Sequence, residues 1–345
     1  MRIGIIARSD NSGLGNQTRE LVAMLKPHKI MLIDSTSFNG NKQNPEWYVG
    51  HNVKTINGFA SEEEVSDFLK DLDVVLSCEI FYNNVFVNIA KAFGVKTVLQ
   101  YNYEFLDYLN QPTWTLPDAL LSPSSWYFED VVKKFGNKTK VILLPPPSAT
   151  EAFRKARETN LKQKHGRILH IAGKAAIKDR NGTETVIEMM KHLKSDVVLD
   201  IRTQIEIDLP ITDKRINIIT DNTENHSDMY VGYDAMILPR RYAGLCLPMN
   251  EALVSALPVF MTNISPNNDL LPPEWLVEST KISRLMTRTM LSVYEGDAKR
   301  LASLVDNYLE SDTLQEKQKA FDIGNKNFSY ESLLDKYNKV FKELR

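Results

Sequence analysis

The chain has 345 residues, of which 43% are hydrophobic and 25% are charged, a composition that is typical of globular proteins and excludes a disordered or fibrous chain. Because one domain usually holds about 100 to 200 residues, we predict two domains. The formal net charge is -2 at pH 7, which excludes a global attraction to nucleic acid.

The first half of the chain alternates short β-rich runs with helical patterns. The runs are RIGIIA, KIMLID, DVVLSC, VKTVLQ, DALLSP and KVILLP. Alternation of this kind is typical of βαβ units, in which helices cover both faces of a parallel sheet. We therefore predict a doubly wound, Rossmann-like α/β domain over residues 1–146.

A loop with two glycines follows the first of these runs. Gly13 and Gly15 lie just before a helical segment that starts near Asn16. A glycine lets the backbone approach a ligand, and a helix N-terminus favours an anion, so the loop suits a phosphate or a sugar oxygen. Asp34 also stands where a nicotinamide dinucleotide would need a ribose-binding acid, although Thr18 replaces the third glycine of that motif.

Three consecutive prolines, 145–147, separate this half from the next. Neither a helix nor a central strand can continue through them, so we place the domain boundary there. The alternation restarts with RILHIA, DVVLDI, INIIT, AMILP and PVFMT. After about Ser283 the pattern predicts helices and no further strands. We predict a second Rossmann-like domain over 147–327, facing the first across a cleft, and a terminal helix, 328–345, that packs back on the first domain.

Basic residues surround the loop after the first run of the second domain. Gly173, Lys174, Lys178 and Arg180 precede a helical segment. Cations beside a helix N-terminus can neutralise the diphosphate that leaves when a nucleotide sugar is cleaved. A solvated charged turn is the alternative interpretation.

The stretch ILPRRYAGLCLPMNEALVSALPVFMTN combines a strand, a basic loop and a helix that begins near Pro248. Arg241 and Gly244 lie in the loop, and we expect Glu251 in the first turn of the helix. A carboxylate at this place can accept both hydroxyls of a ribose, whereas a surface glutamate would only compensate the helix dipole.

Within this stretch, AGLCLPMNEALVSALPV resembles the string EGFGLPxxEAxxxGxPV of the family 4 glycosyltransferases, which have the two-domain GT-B fold. The resemblance implies transfer of a sugar from a nucleoside-diphosphate sugar held by the second domain, with Glu251 on the donor ribose. It also implies that Lys174, together with either Lys178 or Arg180, contacts the diphosphate. Ala243 departs from the family, which has a glutamate near the transferred sugar at this position.

We combine these observations into one predicted donor site. Its residues are Gly13, Gly15, Asn16, Gly173, Lys174, Lys178, Arg180, Arg241, Gly244, Leu245 and Glu251. The resemblance implies that no metal and no cofactor are needed besides the nucleotide-sugar co-substrate. The six histidines form no recognisable ligand cluster in the sequence.

Glu104 is the candidate catalytic residue on the acceptor side. It follows a first-domain strand at the carboxyl end, where ligands gather in doubly wound sheets, and Tyr101 and Asn102 accompany it. An inverting transfer needs a general base of this kind, whereas retaining members of the family are thought to use the leaving phosphate. A carboxylate that merely starts a helix is the alternative interpretation of Glu104.

Local charge is the one indication of the acceptor. Between residues 133 and 167 the sequence has ten basic and two acidic residues, and such a segment can steer a polyanion through phosphate contacts. A hydroxylated base in DNA, of the kind that some viruses modify, is therefore one candidate acceptor. A glycan and a lipid phosphate are the others, and a solvated linker is the interpretation without a partner.

Three further functions are compatible with parts of the sequence. The replacement at Ala243 allows a non-catalytic nucleotide-sugar-binding module, and the first glycine loop allows a nicotinamide dehydrogenase. A sugar-nucleotide epimerase would share the two-domain shape but needs an acid and a base around the sugar ring, a pair that we do not locate.

The cysteines and the apolar runs predict the location. Cys78 and Cys246 are far apart and match neither a disulfide framework nor a zinc site, which favours a reducing cytoplasm. No run approaches about 20 apolar residues, so we predict no transmembrane segment.

Overall fold

The computed structural model describes residues 1–111, 113–173, 179–221, 223–242 and 244–345, and its contacts divide the chain into two units. Unit 1 comprises Met1–Pro147, Thr287–Thr289 and Tyr330–Arg345, and unit 2 comprises Ser148–Met286 and Met290–Ser329. The first division therefore falls at the end of the proline run.

The described part of unit 1 contains a parallel sheet of seven strands. They are β1 (Ile3–Ala7), β2 (Lys29–Asp34), β3 (Val53–Asn57), β4 (Val74–Cys78), β5 (Lys96–Gln100), β6 (Ala119–Ser122) and β7 (Lys140–Leu143). They lie in the order β3-β2-β1-β4-β5-β6-β7. The strand order reverses between β1 and β4, and doubly wound sheets bind ligands at the carboxyl ends of such strands.

Helices cover both faces of this sheet. They are α1 (Gly13–Leu25), α2 (Thr36–Asn39), α3 (Glu62–Leu69), α4 (Phe86–Ala92) and α5 (Phe128–Phe135). Because successive side chains of a strand point to opposite faces, Ile5 and Ile6 enter different cores. Ile6 packs with α3, α4 and α5, whereas Ile5 packs with α1.

The described part of unit 2 contains a second parallel sheet, of six strands. They are β8 (Arg167–Gly173), β9 (Val198–Thr203), β10 (Ile216–Ile219), β11 (Ala235–Ile237), β12 (Val259–Thr262) and β13 (Leu276–Val277). They lie in the order β10-β9-β8-β11-β12-β13, so the reversal in this unit lies between β8 and β11.

An antiparallel ribbon follows this sheet, where we had expected helices only. It consists of β14 (Ser279–Met286) and β15 (Met290–Gly296). Most residues of β14 are exposed, so the strand lacks the alternation of apolar and polar residues that marks a half-buried strand. In β15, Leu291 and Val293 are buried and alternate with less buried residues.

The helices of unit 2 are α6 (Arg154–Asn160), α7 (Thr183–His192), α8 (Leu247–Val254), α9 (Asn267–Leu270), α10 (Ala298–Glu310) and α11 (Thr313–Phe328). Helix α8 is buried on almost every side, as expected of a helix that is apolar all round. Helix α11 approaches it at Gly324, where a Cβ would lie 2.7 Å from the backbone of Leu253 and Val254. This contact fixes α8 in the core of unit 2.

The last helix, α12 (Tyr330–Leu344), belongs to unit 1. Its residues Leu333, Tyr337 and Phe341 join the core that contains α1. The Tyr337 hydroxyl donates to the Pro145 carbonyl over 3.0 Å and accepts from Gln100 Nε2 over 2.8 Å, which satisfies a buried hydroxyl. The predicted fold class, two Rossmann-like doubly wound α/β units, is thus confirmed.

Candidate functional site

The loops that follow β8 and β11 meet at the switch point of unit 2. The Arg241 N–H donates to the Arg180 carbonyl over 3.0 Å, and the Arg180 guanidinium lies 5.2 Å from the centre of the Tyr242 ring. Gly182 has a φ of 75°, and a Cβ there would lie 2.4 Å from the Pro239 carbonyl oxygen. Glycine therefore permits the approach that brings Arg180 and Arg241 together.

A buried histidine joins the elements below these loops. His170 is fully buried, with Nδ1 2.7 Å from the Ile237 carbonyl oxygen and Nε2 2.9 Å from the Thr183 hydroxyl. Because a carbonyl can only accept, Nδ1 carries the proton and Nε2 accepts from Thr183. Burial lowers the pKa of His170, so the ring is neutral and its role is to hold β8, β11 and α7 together.

Asp179 caps the helix that the loop enters. Its Oδ1 accepts the Thr183 N–H over 2.7 Å and its Oδ2 accepts the Glu184 N–H over 3.1 Å. These are two of the N–H groups that a helix start leaves open for an anion. A diphosphate at this loop would therefore depend on side chains and not on these two amides. Of the predicted contacts, Lys174 and Lys178 lie outside the described residues.

The loop between β11 and α8 is held by Arg240. This side chain is 4% exposed, and its Nη1 donates to the Leu245 carbonyl over 3.1 Å. The Thr262 hydroxyl donates to the Arg240 carbonyl. Arg240 is therefore a structural cation, whereas the predicted Arg241 is only half-buried. Gly244 is buried in the same loop, and Ala243 lies outside the described residues.

Glu251 is a core residue of α8, not a surface glutamate. It is 6% exposed and lies at the start of the second turn of the helix and not in the first, because the helix begins at Leu247, one residue before Pro248. Its Oε1 lies 3.0 Å from His226 Nε2, and its Oε2 accepts a hydrogen bond from the Tyr230 hydroxyl. The interpretation of Glu251 as a surface residue that compensates the helix dipole is therefore wrong.

The two partners of Glu251 were missed by the sequence analysis. His226 and Tyr230 are the first and last residues of a 3-10 helix after β10, and their rings lie 6.3 Å apart. The ring of Phe153 packs edge-on against both. In a 3-10 helix side chains three residues apart eclipse, so the four-residue spacing of HSDMY does not predict that the two rings meet, and the sequence offers no signal for this pair.

In unit 1, Asp10 anchors the glycine loop. Its side chain is fully buried and accepts hydrogen bonds from Arg8 Nε over 3.0 Å, from the Ser12 N–H over 2.9 Å and from the Ser35 hydroxyl over 3.0 Å. The Ser12 hydroxyl in turn caps α1 by accepting the Gly15 N–H over 3.1 Å. The loop after β1 is therefore built around a buried carboxylate.

The two glycines lie in the first turn of α1 and not, as we predict from the sequence, in a loop before it, because the helix begins at Gly13 after its cap Ser12; their surroundings differ. A Cβ on Gly15 would lie 1.9 Å from the Asp10 carbonyl oxygen, whereas one on Gly13 would meet no described atom within 4 Å. Gly15 therefore has a packing role, and Gly13 is the glycine beside which a ligand has room. Asn16 is half-buried in the first turn of α1.

Glu104 lies where we expected it in the chain, but it is buried. It is 3% exposed in the 3-10 helix Tyr103–Phe105, which follows β5. Its carbonyl accepts the N–H of Arg288, a residue of the same unit, over 3.1 Å. The structure thus keeps Glu104 near the carboxyl end of β5 without exposing it.

The described residues carry no group of three or more His, Cys, Asp or Glu side chains arranged to hold a metal ion. None of the helices in these parts of the chain is both long enough and apolar enough to cross a bilayer.

No family model matches the sequence, and no curated protein matches it. The structure is nevertheless similar to solved glycosyltransferases. A glycosyltransferase from Rickettsia africae ESF-5 gives a TM-score of 0.67 at 13% identity, over 99% of this chain and 98% of that one. HepE from Anabaena, solved in complex with UDP-glucose, gives 0.68 at 9% identity, over 99% and 100%. The lipopolysaccharide outer core galactosyltransferase WaaB gives 0.63 at 11% identity, over 99% and 100%. At these identities the likeness shows the fold: the two doubly wound units are those of glycosyltransferase structures.

Proposed function

We propose that the protein is a glycosyltransferase that moves a sugar from a nucleoside-diphosphate sugar to an acceptor hydroxyl, with unit 2 holding the donor and unit 1 the acceptor. The observation that carries the proposal is Glu251, a buried carboxylate on the helix that begins after β11. The fold supports it, and so does HepE, which was solved with UDP and with UDP-glucose.

In the proposed reaction the bond between the anomeric carbon and the diphosphate oxygen breaks, the acceptor oxygen bonds to that carbon, and the proton of the acceptor hydroxyl passes to the departing diphosphate. Glu251 binds the donor ribose. Arg180 and Arg241, which the two switch-point loops bring together, stabilise the charge on the departing diphosphate. Lys174 and Lys178, which precede Arg180 in the sequence, are further candidates for this role.

We assign the donor half to the family 4 type because the string from Gly244 to Val259 carries the resemblance. Ala243 stands where the family has its first glutamate, near the transferred sugar. A non-catalytic binding module is therefore the second candidate function. The two functions differ in one observable, because a transferase slowly hydrolyses its donor sugar in the absence of an acceptor and a binding module does not.

The basic segment supports a DNA acceptor less than its sequence suggested. Its residues are divided between the two units, and several have partners within their own unit. Lys155 pairs with Asp228 at 2.8 Å, Arg167 pairs with Asp200, and Lys134 donates to a backbone carbonyl over 2.8 Å. We therefore leave DNA out of the proposed reaction. Salt-sensitive binding to duplex DNA that charge reversal at Lys134 removes would restore it.

A thermal-shift screen with UDP, GDP, ADP and NAD tests the proposal. A ligand at 100 times its Kd stabilises the folded state by about 2.7 kcal/mol. We expect one nucleoside diphosphate to raise the Tm of the wild type and to have no effect on Glu251→Ala. The matched control is Glu188→Ala, which removes an exposed glutamate paired with Lys191 and should respond like the wild type. Stabilisation by NAD alone would instead favour the dehydrogenase.

A further inference from the structure

We propose that His226 and Tyr230 are positioning residues for the donor: they fix the Glu251 carboxylate in the orientation that binds the ribose hydroxyls. This inference rests on the proposed function and extends it to two residues that do not themselves touch the sugar nucleotide. It concerns unit 2 alone.

The first step of the argument is the geometry around the carboxylate. His226 Nε2 lies 3.0 Å from Oε1, and the Tyr230 hydroxyl donates to Oε2. The two carboxylate oxygens of Glu251 are thus contacted by two different side chains, which defines the rotation of the carboxylate about its last bond. A carboxylate oxygen can accept more than one hydrogen bond, so these contacts are compatible with a diol on the ligand side.

The second step is that Tyr230 is itself immobile. Its ring is fully buried and lies 5.5 Å from the Phe153 ring at an interplanar angle of 71°. Its carbonyl accepts a hydrogen bond from Asn160 Nδ2 over 2.9 Å. Burial, reinforced by Glu251, raises the pKa of Tyr230 well above its usual value. The hydroxyl therefore stays protonated, and remains a donor, at neutral pH.

The third step concerns His226, whose ring is also packed against Phe153, at 6.3 Å and an interplanar angle of 83°. Its side chain is 27% exposed, against 8% for that of Glu251. Its Nε2 lies within ion-pair distance of Oε1, 3.0 Å away. The Tyr230 hydroxyl and the His226 ring therefore restrict the Glu251 carboxylate before a ligand arrives, so that less rotational freedom is lost on binding.

The test compares UDP with 2′-deoxy-UDP by isothermal titration calorimetry on the full chain; if GDP is the stabilising nucleotide, GDP and 2′-deoxy-GDP are used. The Kd of 2′-deoxy-UDP divided by the Kd of UDP measures the contribution of the ribose 2′-hydroxyl. We expect Tyr230→Phe and His226→Ala each to lower this ratio by roughly three- to tenfold, the effect of freeing one side chain. His226→Gln keeps a polar side chain beside the carboxylate and should retain most of the ratio.

Two control variants separate positioning from general damage. Tyr233→Phe removes a buried hydroxyl that bonds to the Asp200 carboxylate over 2.8 Å but not to Glu251. His192→Ala removes a histidine that pairs with Glu188 at 3.4 Å on the surface of α7. Both controls should keep the wild-type ratio.

The possible outcomes bear differently on the two proposals. If no nucleoside diphosphate binds the wild type, the proposed function fails and the inference with it. If UDP binds and the ratio is unchanged in Tyr230→Phe and His226→Ala, the inference alone is refuted. Equal weakening of UDP and 2′-deoxy-UDP would also refute it, because a merely structural role predicts that result. A wild type that does not distinguish the two nucleotides would remove the ribose role of Glu251.

Discussion

Replacing Lys317 with methionine should destabilise unit 2 by about 3 to 5 kcal/mol, the usual cost of breaking a buried ion pair. The Lys317 side chain is 0% exposed, and its Nζ lies 2.8 Å from Oδ1 of Asp234, which is 1% exposed. Nζ also donates to the carbonyls of Asn160 over 2.9 Å and Gln163 over 3.1 Å. Its three protons thus have three acceptors.

The magnitude follows from what Lys317→Met leaves behind. The Asp234 carboxylate keeps its bonds from the backbone N–H groups of His165 and Gly166, at 3.0 and 2.7 Å, but loses its counter-charge inside the core. Two carbonyls also lose a donor, at about 1 to 3 kcal/mol for each that stays unsatisfied. Methionine is close to lysine in length and shape, so a cavity contributes little.

Hydrogen exchange of the β8 and β11 peptides as a function of urea reports on unit 2 alone, which avoids treating a two-unit chain as two-state. The control is Lys319→Met, two residues further along α11. Lys319 is 39% exposed and pairs with Glu274 at the surface, where such a pair contributes about 0 to 1 kcal/mol. Equal losses in the two variants would refute the argument that burial makes the Lys317 pair costly to break.

Three further predictions concern backbone and charge. Burial raises the pKa of Asp10, but hydrogen bonds from its neighbours outweigh this and lower the pKa from 3.8 to about 2. The ionised carboxylate therefore adds about 2 kcal/mol to the free energy of unfolding above pH 4, and this contribution is lost as the pH falls toward 2. Asp10→Asn should accordingly make stability depend less on pH in this acid range. Gly15→Ala should lower the urea midpoint, because its Cβ would meet the Asp10 carbonyl oxygen at 1.9 Å; Gly13→Ala should change stability by less than about 0.5 kcal/mol. Ala256 has a φ of 58°, so Ala256→Gly should raise the free energy of unfolding by about 0.5 to 1 kcal/mol, whereas Ala252→Gly inside α8 should lower it by about 1 kcal/mol; equal effects of the two would contradict strain at Ala256.

The fold could be predicted because its signals are local. Apolar runs of strand length alternate with amphipathic segments, and the prolines 145–147 interrupt both. The ribbon of β14 and β15 could not be predicted in this way. Its first strand is mostly exposed, so burial left no periodic pattern there for the sequence analysis to detect.

The site was only partly predictable, because its contacts are long-range. Glu251 was found through a string of neighbouring residues, whereas its partners His226 and Tyr230 come from the connection between β10 and β11. Their proximity depends on the strand order, which the sequence does not state. The cap formed by Asp179 depends on how the chain turns between Asp179 and the start of α7 at Thr183, which the pattern of charges does not state.

The shared string itself separates into residues that the fold explains and one that it does not. Pro248 lies in the first turn of α8, where proline costs no hydrogen bond. Ala256 adopts a left-handed conformation, which explains why the family string has a glycine there, and Val259 begins β12. Glu251 has no such explanation, because an apolar side chain at this position of α8 would fill the core of unit 2 without the cost of burying a carboxylate. Retaining that carboxylate, with a tyrosine and a histidine to hold it, is understandable if it binds a ligand, which is why Glu251 carries the proposed function.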